Sequence, residues 1–211
     1  MSKILISGYY GFANAGDEAM LTAIIESLRQ VEKNVELTVL SGNPEDTAAK
    51  HQVCSVYRFN PLGIIQAMKD SELIISGGGS LLQDVTSKRS LLYYLSIIGL
   101  GKFFGKKVML FAQGIGPIRA KWARKLTSLV CNEADLITVR DSESAAELIE
   151  MGVKPEKITV TADSVLSLNP VTKECGQYLL QEAGVDLTKP VIGISVPVSY
   201  THLRAHETDQ Y

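Results

Sequence analysis

The sequence predicts an α/β fold in which a parallel sheet carries helices on both faces. Apolar runs of strand length alternate with segments of helical length along most of the chain, as they do in sheets built from βαβ units. Several of these strands break at glycines, most clearly where Leu73–Ile75 runs toward Gly77–Gly79. Ligands of such sheets bind beyond the carboxyl ends of the strands, so these turns mark the expected site.

The first strand is expected at Lys3–Ser7, followed by a turn that begins at Gly8 and a helix to about Arg29. The turn lacks the GxGxxG spacing of a dinucleotide site. Asp17 and Glu18, in the first helical turn, complement the helix dipole but compete with any bound phosphate. The sequence therefore does not favour a pyrophosphate site here.

Val35–Leu40 is the second expected strand, and a turn at Ser41–Pro44 ends it. Val53–Val56 is long enough for a short third strand. Pro61–Asp70 predicts a helix, because proline is favourable in a first turn. His51 lies in a polar loop without a carboxylate or second histidine beside it in the sequence, so we expect a surface residue.

The central stretch of the sequence is a strand at Leu73–Ile75 followed by three glycines. Glycines let the backbone take positive φ and bring its N–H groups close to a ligand. The alternative is a turn that only packs a helix against its strand. Ser80 and the apolar residues after it resume at helical spacing and predict a helix start. The apolar segment Leu91–Phe104 predicts a buried helix, being too short for a membrane span.

The second half of the chain repeats the pattern. Asp141 is placed to cap a helix, and Gly152 to end it. The expected elements are a strand at Lys107–Ala112, a helix from about Arg119 to Cys131, a strand at Asp135–Val139, a helix at Ser142–Met151, a strand at Lys157–Thr161 and a helix from about Lys173 to Ala183.

Composition describes an ordinary globular protein, with 45% hydrophobic and 21% charged residues and a net charge of −2. No large basic surface for nucleic acid is implied. Cys54, Cys131 and Cys175 are widely spaced without a metal-ligand pattern, which predicts reduced thiols in a cytoplasmic protein. Lysine and arginine residues flank the apolar segment at residues 91–104, which leaves open contact with an anionic membrane surface.

Candidate binding residues stand where the predicted strands end. Asn14 and Asp17 suit hydrogen bonds to sugar hydroxyls, although capping alone remains an alternative for Asp17. The Gln113 amide suits a ligand hydroxyl or carboxylate. Arg140 suits a carboxylate or phosphate held in a bidentate fork, with a local ion pair to Asp141 as the alternative. The remaining candidates at strand ends are Gly77, Gly78, Gly79, Ser80 and Asp163.

Four stretches in this order resemble the polysaccharide pyruvyl transferase family, in particular the bacterial branch that modifies cell-wall polysaccharide for S-layer anchoring. The resemblance extends from about Lys3 to Val196. The stretches are Gly8–Glu18, Ser76–Asp84, Phe111–Pro117 and Val139–Ser142.

The resemblance implies a GT-B-like architecture of two Rossmann-like domains facing a cleft. It implies transfer of the pyruvyl group of phosphoenolpyruvate to two hydroxyls of a hexose, commonly N-acetylmannosamine, as a cyclic ketal. Phosphoenolpyruvate is the donor substrate and no cofactor or metal is implied. Arg140 matches an arginine that the family uses around the donor, and Asn14, Asp17 and Gln113 would be cleft residues.

By this resemblance, residues 1–168 form the first Rossmann-like domain, and residues 169–196 a linker and the start of an incomplete second domain. Val191–Val196 would be its first strand. Residues 197–211 resemble translated sequencing-adapter sequence. Because catalysis needs both walls of a two-domain cleft, we expect an inactive fragment. The alternative for this tail is a genuine extension in which His202 and His206 bind metal.

Two other functions remain open at this point. The first is a glycosyltransferase that uses a nucleotide sugar in the same cleft. The second is a non-catalytic module that binds the donor without turning it over. The general acid and the acceptor sugar do not follow from the sequence.

Overall fold

A seven-stranded parallel sheet forms the centre of the molecule, in the computed structural model that describes residues 2–85 and 87–194. Strand order is β3-β2-β1-β4-β5-β6-β7. The predicted α/β fold with a parallel sheet is thereby confirmed. The strands are β1 (Lys3–Tyr10), β2 (Glu36–Ser41), β3 (Cys54–Tyr57), β4 (Leu73–Gly77), β5 (Lys107–Gln113), β6 (Leu136–Val139) and β7 (Ile158–Val160).

Helices connect the strands, and most of them begin at a residue whose side chain accepts a backbone N–H. Asn14, Asn43, Asn60, Ser87 and Asp141 act in this way. The helices are α1 (Ala15–Val31), α2 (Pro44–His51), α3 (Pro61–Asp70), α4 (Lys88–Phe103), α5 (Lys121–Glu133), α6 (Ser142–Glu150) and α7 (Lys173–Glu182), with short 3₁₀ turns at Pro155–Lys157 and Ser164–Ser167.

The sheet separates two apolar cores because successive side chains of a strand point to opposite faces. Ile4 and Ile6 of β1 pack in the core that contains buried residues of α1. Leu5, between them, packs in the core with residues of α3, α4, α5 and α6. Helices therefore cover both faces, and the carboxyl ends of the strands remain as the open edge.

Strand order reverses between β1 and β4, since β1 pairs with β2 on one side and with β4 on the other. At such a switch point the connections leave the sheet in opposite directions and open a crevice. Here the loops after β1 and β4 border that crevice.

The predicted helix start at Ser80 is wrong. Residues 78–85 contain no helix, and α4 begins only at Lys88. Leu82 forms a backbone bridge with Ile115, and the Asp84 carboxylate accepts the Arg119 and Ala120 N–H groups. The apolar residues after Ser80 therefore pack a loop into the core and do not form one face of a helix.

The turn predicted at Ser41–Pro44 is followed by a helix, α2, that the sequence reading missed. Asn43 caps it and Pro44 is its first residue. His51 ends this helix with a side chain only 9% exposed, and its Nε2 lies 3.3 Å from Glu18 Oε2. The expectation of a surface histidine is therefore wrong, because tertiary packing buries the ring beside Glu18.

The strand predicted at Val191–Val196 is absent from its described part, residues 191–194, and its last two residues lie outside the described ranges. The tail from residue 197, with His202 and His206, also lies outside them. The chain divides into one compact unit up to Leu168 and a second that begins at Asn169.

Two further sequence expectations concern thiols and membranes. Cys54 and Cys175 are exposed free thiols, and Cys131 is buried, which raises the pKa of its thiol to about 12. Among the helices of residues 2–85 and 87–194, none has the length and apolar character needed to cross a membrane.

Candidate functional site

The glycine turn after β4 lies at the switch point and closely approaches residues of β1 and α1. Gly78 and Gly79 have φ of +85° and +66°, which favour glycine. A Cβ at Gly78 would lie 2.8 Å from Tyr10 Oη, and one at Gly79 would lie 3.1 Å from Asp17 Oδ1. Glycine is therefore needed here both for backbone conformation and for space.

Tyr10 and Met20 contact the backbone of this turn and fix its position. Tyr10 is fully buried, and its Oη donates to the Gly77 carbonyl at 2.6 Å. Burial, together with the charge of Asp17, raises the pKa of Tyr10 well above its ordinary value, so the hydroxyl stays a donor. The Gly79 N–H faces Met20 Sδ at 2.9 Å. That amide is thus used inside the protein rather than offered to a ligand.

Asp17 lies in the first turn of α1, beside Gly79. Burial and the neighbouring Glu18 carboxylate raise the pKa of Asp17 to about 6. Glu18 itself is engaged, accepting the Gly11 N–H at 2.8 Å and lying near His51. Within the described residues the Asp17 side chain has neither a hydrogen-bond donor nor a cation against it.

Asn14 is exposed and acts as the cap of α1. Its Oδ1 accepts the N–H groups of Gly16 at 3.0 Å and Asp17 at 3.3 Å. The side chain thereby orients the helical turn that carries Asp17. Because Oδ1 already accepts these two hydrogen bonds, only the side-chain NH₂ group remains to reach a ligand hydroxyl.

Arg140 follows β6 and is held by three oxygen partners. Its Nη1 donates to Asp163 Oδ2 at 3.1 Å, and its Nη2 donates to Ser80 Oγ at 3.2 Å. The Nε lies 3.4 Å from Asp141 Oδ2, so the local ion pair exists beside the longer-range one. Since a guanidinium has five N–H donors, two remain for a ligand, and 33% of the side chain is exposed.

Gly114 lets the Arg140 guanidinium lie against the turn after β5. A Cβ at Gly114 would be 2.7 Å from Arg140 Cζ and 2.7 Å from Ser80 Oγ. The Gly114 N–H donates to the Gly79 carbonyl at 3.1 Å and joins the two turns. The sequence motif pointed to this glycine, but its reason appears only in the packing.

Gln113 is completely buried at the end of β5 and does not reach the open edge. Its Nε2 donates to Ser76 Oγ at 3.0 Å, whereas its Oε1 has no partner within the described part of the chain. The amide therefore links the end of β5 to β4. Its expected contact with a ligand stays a prediction.

The structure thus brings Ser80, Arg140 and Asp163 into direct contact and places Asp17 against Gly79, the residue before Ser80. Asp163 also accepts the Val165 N–H at the start of a 3₁₀ turn. Ser80 lies between Asp17 and Arg140, since it follows Gly79 in the chain and accepts a hydrogen bond from Arg140. A cation and an unpaired carboxyl consequently flank one turn.

Arg58 is a buried cation that the sequence reading missed. It is 4% exposed and is surrounded by five aromatic rings whose centroids lie 4.4 to 5.8 Å from Cζ. It donates to Gly8 O at 3.5 Å and Tyr94 Oη at 3.3 Å, and no carboxylate of the described residues pairs with it. The sequence feature that could have indicated this site is the set of aromatic residues that surround Arg58, namely Tyr9, Phe12, Phe59, Tyr93 and Tyr94.

No group of three or more histidine, cysteine, aspartate or glutamate side chains placed to hold a metal ion occurs in residues 2–85 and 87–194. The groups at the turn are the Arg140 guanidinium, the Asp17 carboxyl and the Ser80 hydroxyl.

In a comparison with known families, the model of the family described as polysaccharide pyruvyl transferase matches residues 14–195. A search of curated proteins gives no match.

Solved structures that resemble this one share its fold at low sequence identity. HepE from Anabaena, in complex with UDP and glucose, has a TM-score of 0.57 at 14% identity over 87% of this chain and 50% of its own. A glycosyltransferase from Rickettsia africae has a TM-score of 0.54 at 11% identity, over 90% and 51%. UDP-GlcNAc 2-epimerase from Neisseria meningitidis, bound to UDP-GlcNAc, has a TM-score of 0.52 at 13% identity, over 86% of this chain and 50% of its own. The chain spans about half the length of each of these structures.

Proposed function

The chain belongs to the polysaccharide pyruvyl transferase family, and we propose that it takes part in moving the pyruvyl group of phosphoenolpyruvate onto two hydroxyls of a hexose as a cyclic ketal. The acceptor we propose is a cell-wall polysaccharide or its lipid-linked precursor, of the kind that anchors S-layer proteins. We place the reaction in the cytoplasm, at the inner face of the membrane where the acceptor is lipid-linked.

Arg140 carries this proposal. Phosphoenolpyruvate offers a carboxylate and a phosphate, and a planar guanidinium binds either group in a fork. Arg140 stands at the open edge of the sheet with two N–H donors unused and one-third of its side chain exposed. Asp163 and Asp141 fix its orientation, which prepares it for an anion without a further loss of side-chain entropy.

The groups beside Arg140 support a donor and an acceptor bound together. Ser80 offers a hydroxyl next to the guanidinium, and Asp17 offers a carboxyl on the other side of the same turn. Carboxyl and hydroxyl groups hydrogen-bond sugar hydroxyls well. Phosphoenolpyruvate is the donor substrate in this proposal, and no further cofactor is required.

The test is a calorimetric titration of the chain with phosphoenolpyruvate and, separately, with UDP-glucose. We expect phosphoenolpyruvate to bind and Arg140→Ala to weaken that binding roughly 10- to 100-fold, while Arg119→Ala, at an exposed arginine, leaves it unchanged. Adding N-acetylmannosamine and following phosphate release and ketal mass then reports the transfer. Binding of UDP-glucose in place of phosphoenolpyruvate would overturn the proposal in favour of a glycosyltransferase.

A further inference from the structure

Among the carboxylates around the crevice, Asp17 differs in having no partner within residues 2–85 and 87–194. Asp163 and Asp141 bond to Arg140, and Glu18 bonds to the Gly11 N–H and lies near His51. The Asp17 oxygens are not among the buried unpaired atoms, so the carboxylate faces solvent, from which a ligand can approach it. Perturbed, unpaired carboxyls of this kind concentrate at functional sites.

The place of Asp17 in the fold connects it to Arg140. Its Oδ1 lies beside Gly79, where a Cβ would be 3.1 Å away, and Arg140 reaches Oγ of the next residue, Ser80. The carboxyl and the guanidinium therefore border two consecutive residues of one turn. To reach the carboxyl, a molecule whose anion is held by Arg140 would have to extend past Gly79.

We propose that Asp17 is the proton-transfer group of the site, which takes the proton from an acceptor hydroxyl and returns one to the donor. This inference rests on the proposed function. It gives the first half of the chain a catalytic residue in addition to the binding residues already described.

The step balances as an addition of O–H across the enol double bond. The Asp17 carboxylic acid gives its proton to the methylene carbon, which becomes a methyl group as the electron pair of the double bond forms the new C–H bond. The acceptor oxygen then bonds to the central carbon of phosphoenolpyruvate, and its proton passes to the Asp17 carboxylate, which restores the carboxylic acid. The second hydroxyl then forms its bond to the same carbon as the C–O bond to phosphate breaks, and its proton leaves on the phosphate.

The surroundings of Asp17 suit such a group. Glu18, on the same helix, opposes ionisation, and the buried hydroxyls of Tyr10 and Tyr94 lie near enough to feel the charge. The turn after β4 places Gly79 beside the carboxyl, and glycine has no charged side chain that would shift the pKa of Asp17. With a pKa of about 6, Asp17 can both accept and donate a proton near neutral pH.

The experiment is a carboxyl titration by ¹³C NMR on the 211-residue chain with labelled aspartate, using Asp17→Asn to assign the signal. We expect a pKa near 6 that rises when phosphoenolpyruvate is added, because a bound anion opposes ionisation. Glu26→Gln, the same chemical change at an exposed position of α1, serves as the control and should leave the Asp17 titration unchanged.

An Asp17 carboxyl that titrates near its ordinary value of 3.8, or one that does not respond to phosphoenolpyruvate that binds, overturns the inference and leaves the proposed function standing. Absence of phosphoenolpyruvate binding overturns both. Where ketal formation is measured, Asp17→Asn should lower kcat roughly 10²- to 10⁴-fold and abolish the limb of the pH profile near 6, with donor affinity within about twofold of wild type. A loss confined to KM would instead assign Asp17 to binding alone.

Discussion

The guanidinium of Arg140 lies so close to Gly114 that a Cβ at residue 114 would be 2.7 Å from Arg140 Cζ. Gly114 has no positive φ, so alanine there meets a steric conflict with the side chain and no backbone strain. We expect Gly114→Ala to displace the guanidinium from Ser80 and to weaken phosphoenolpyruvate binding roughly tenfold, or about 1.4 kcal/mol. Calorimetry measures the affinity.

The control for that substitution is Gly99→Ala in α4. A Cβ at residue 99 meets nothing within 4 Å, so donor affinity should not change. Alanine should raise the free energy of unfolding by about 0.5–1 kcal/mol, because glycine loses more conformational entropy in a helix. Equal donor affinity in wild type and Gly114→Ala would contradict the role given to this contact.

Arg140→Ala removes the cation from the turn, and Arg140→Lys keeps the charge without the planar fork. Hydrogen bonds to charged groups contribute about 1.5–3 kcal/mol, which corresponds to roughly 10- to 100-fold in donor affinity for the alanine variant. Lysine should recover only part of this loss. Unchanged affinity in the alanine variant would assign Arg140 to its ion pairs with Asp141 and Asp163 alone.

Asp17 makes stability depend on pH. Its pKa is raised from 3.8 to about 6 in the folded protein, so between these values the folded state binds more protons than the unfolded state. The free energy of unfolding should therefore fall as pH rises through this window. Asp17→Asn removes the effect and should be more stable than wild type at about pH 7 but equal to it below about pH 3.8, as measured by urea unfolding.

Asp135 shows the opposite dependence. Burial alone would raise its pKa, but hydrogen bonds from Lys102, the Val108 N–H and Lys107 outweigh it and lower the pKa to about 2. Its contribution is present above the unfolded value of 3.8 and lost as pH falls toward 2. Asp135→Asn should lower the free energy of unfolding by about 1–2 kcal/mol near neutral pH, and the deficit should shrink in acid. A deficit that is constant with pH would point to packing instead.

Arg58 should contribute to stability through its aromatic surroundings. Desolvated cation–π contacts are worth about 2 kcal/mol or more, and hydrogen bonds add about 1 kcal/mol each, so Arg58→Ala should lower the free energy of unfolding by about 2–4 kcal/mol. The free energy of unfolding of Arg58→Lys should lie between those of wild type and Arg58→Ala, because lysine keeps the charge. Thermal and chemical unfolding measure the change, with exposed Arg119→Ala as the control. A near-neutral Arg58→Ala would show that the rings pack as well without the cation.

The sequence by itself determined the elements whose signals are local. Alternating apolar runs predicted the strands, and proline and Asp141 marked the starts of α3 and α6, because a cap or a strand period needs only a few consecutive residues. It also placed Asp17, Gly79, Arg140 and their neighbours at strand ends. The helix start at Ser80 failed because helical spacing of apolar residues does not distinguish a helix from a packed loop.

Tertiary structure alone decided which groups meet. Ser80 and Arg140 are 60 residues apart, Tyr10 and Gly77 are 67 apart, and Glu18 and His51 are 33 apart. These contacts follow from strand order and helix packing, which bring together residues that no sequence period relates. For the same reason, only the folded chain shows that Arg58 is enclosed by aromatic rings, that Gln113 is buried and that Asp17 has no partner in the described part of the chain, because each depends on what lies beside the residue in space.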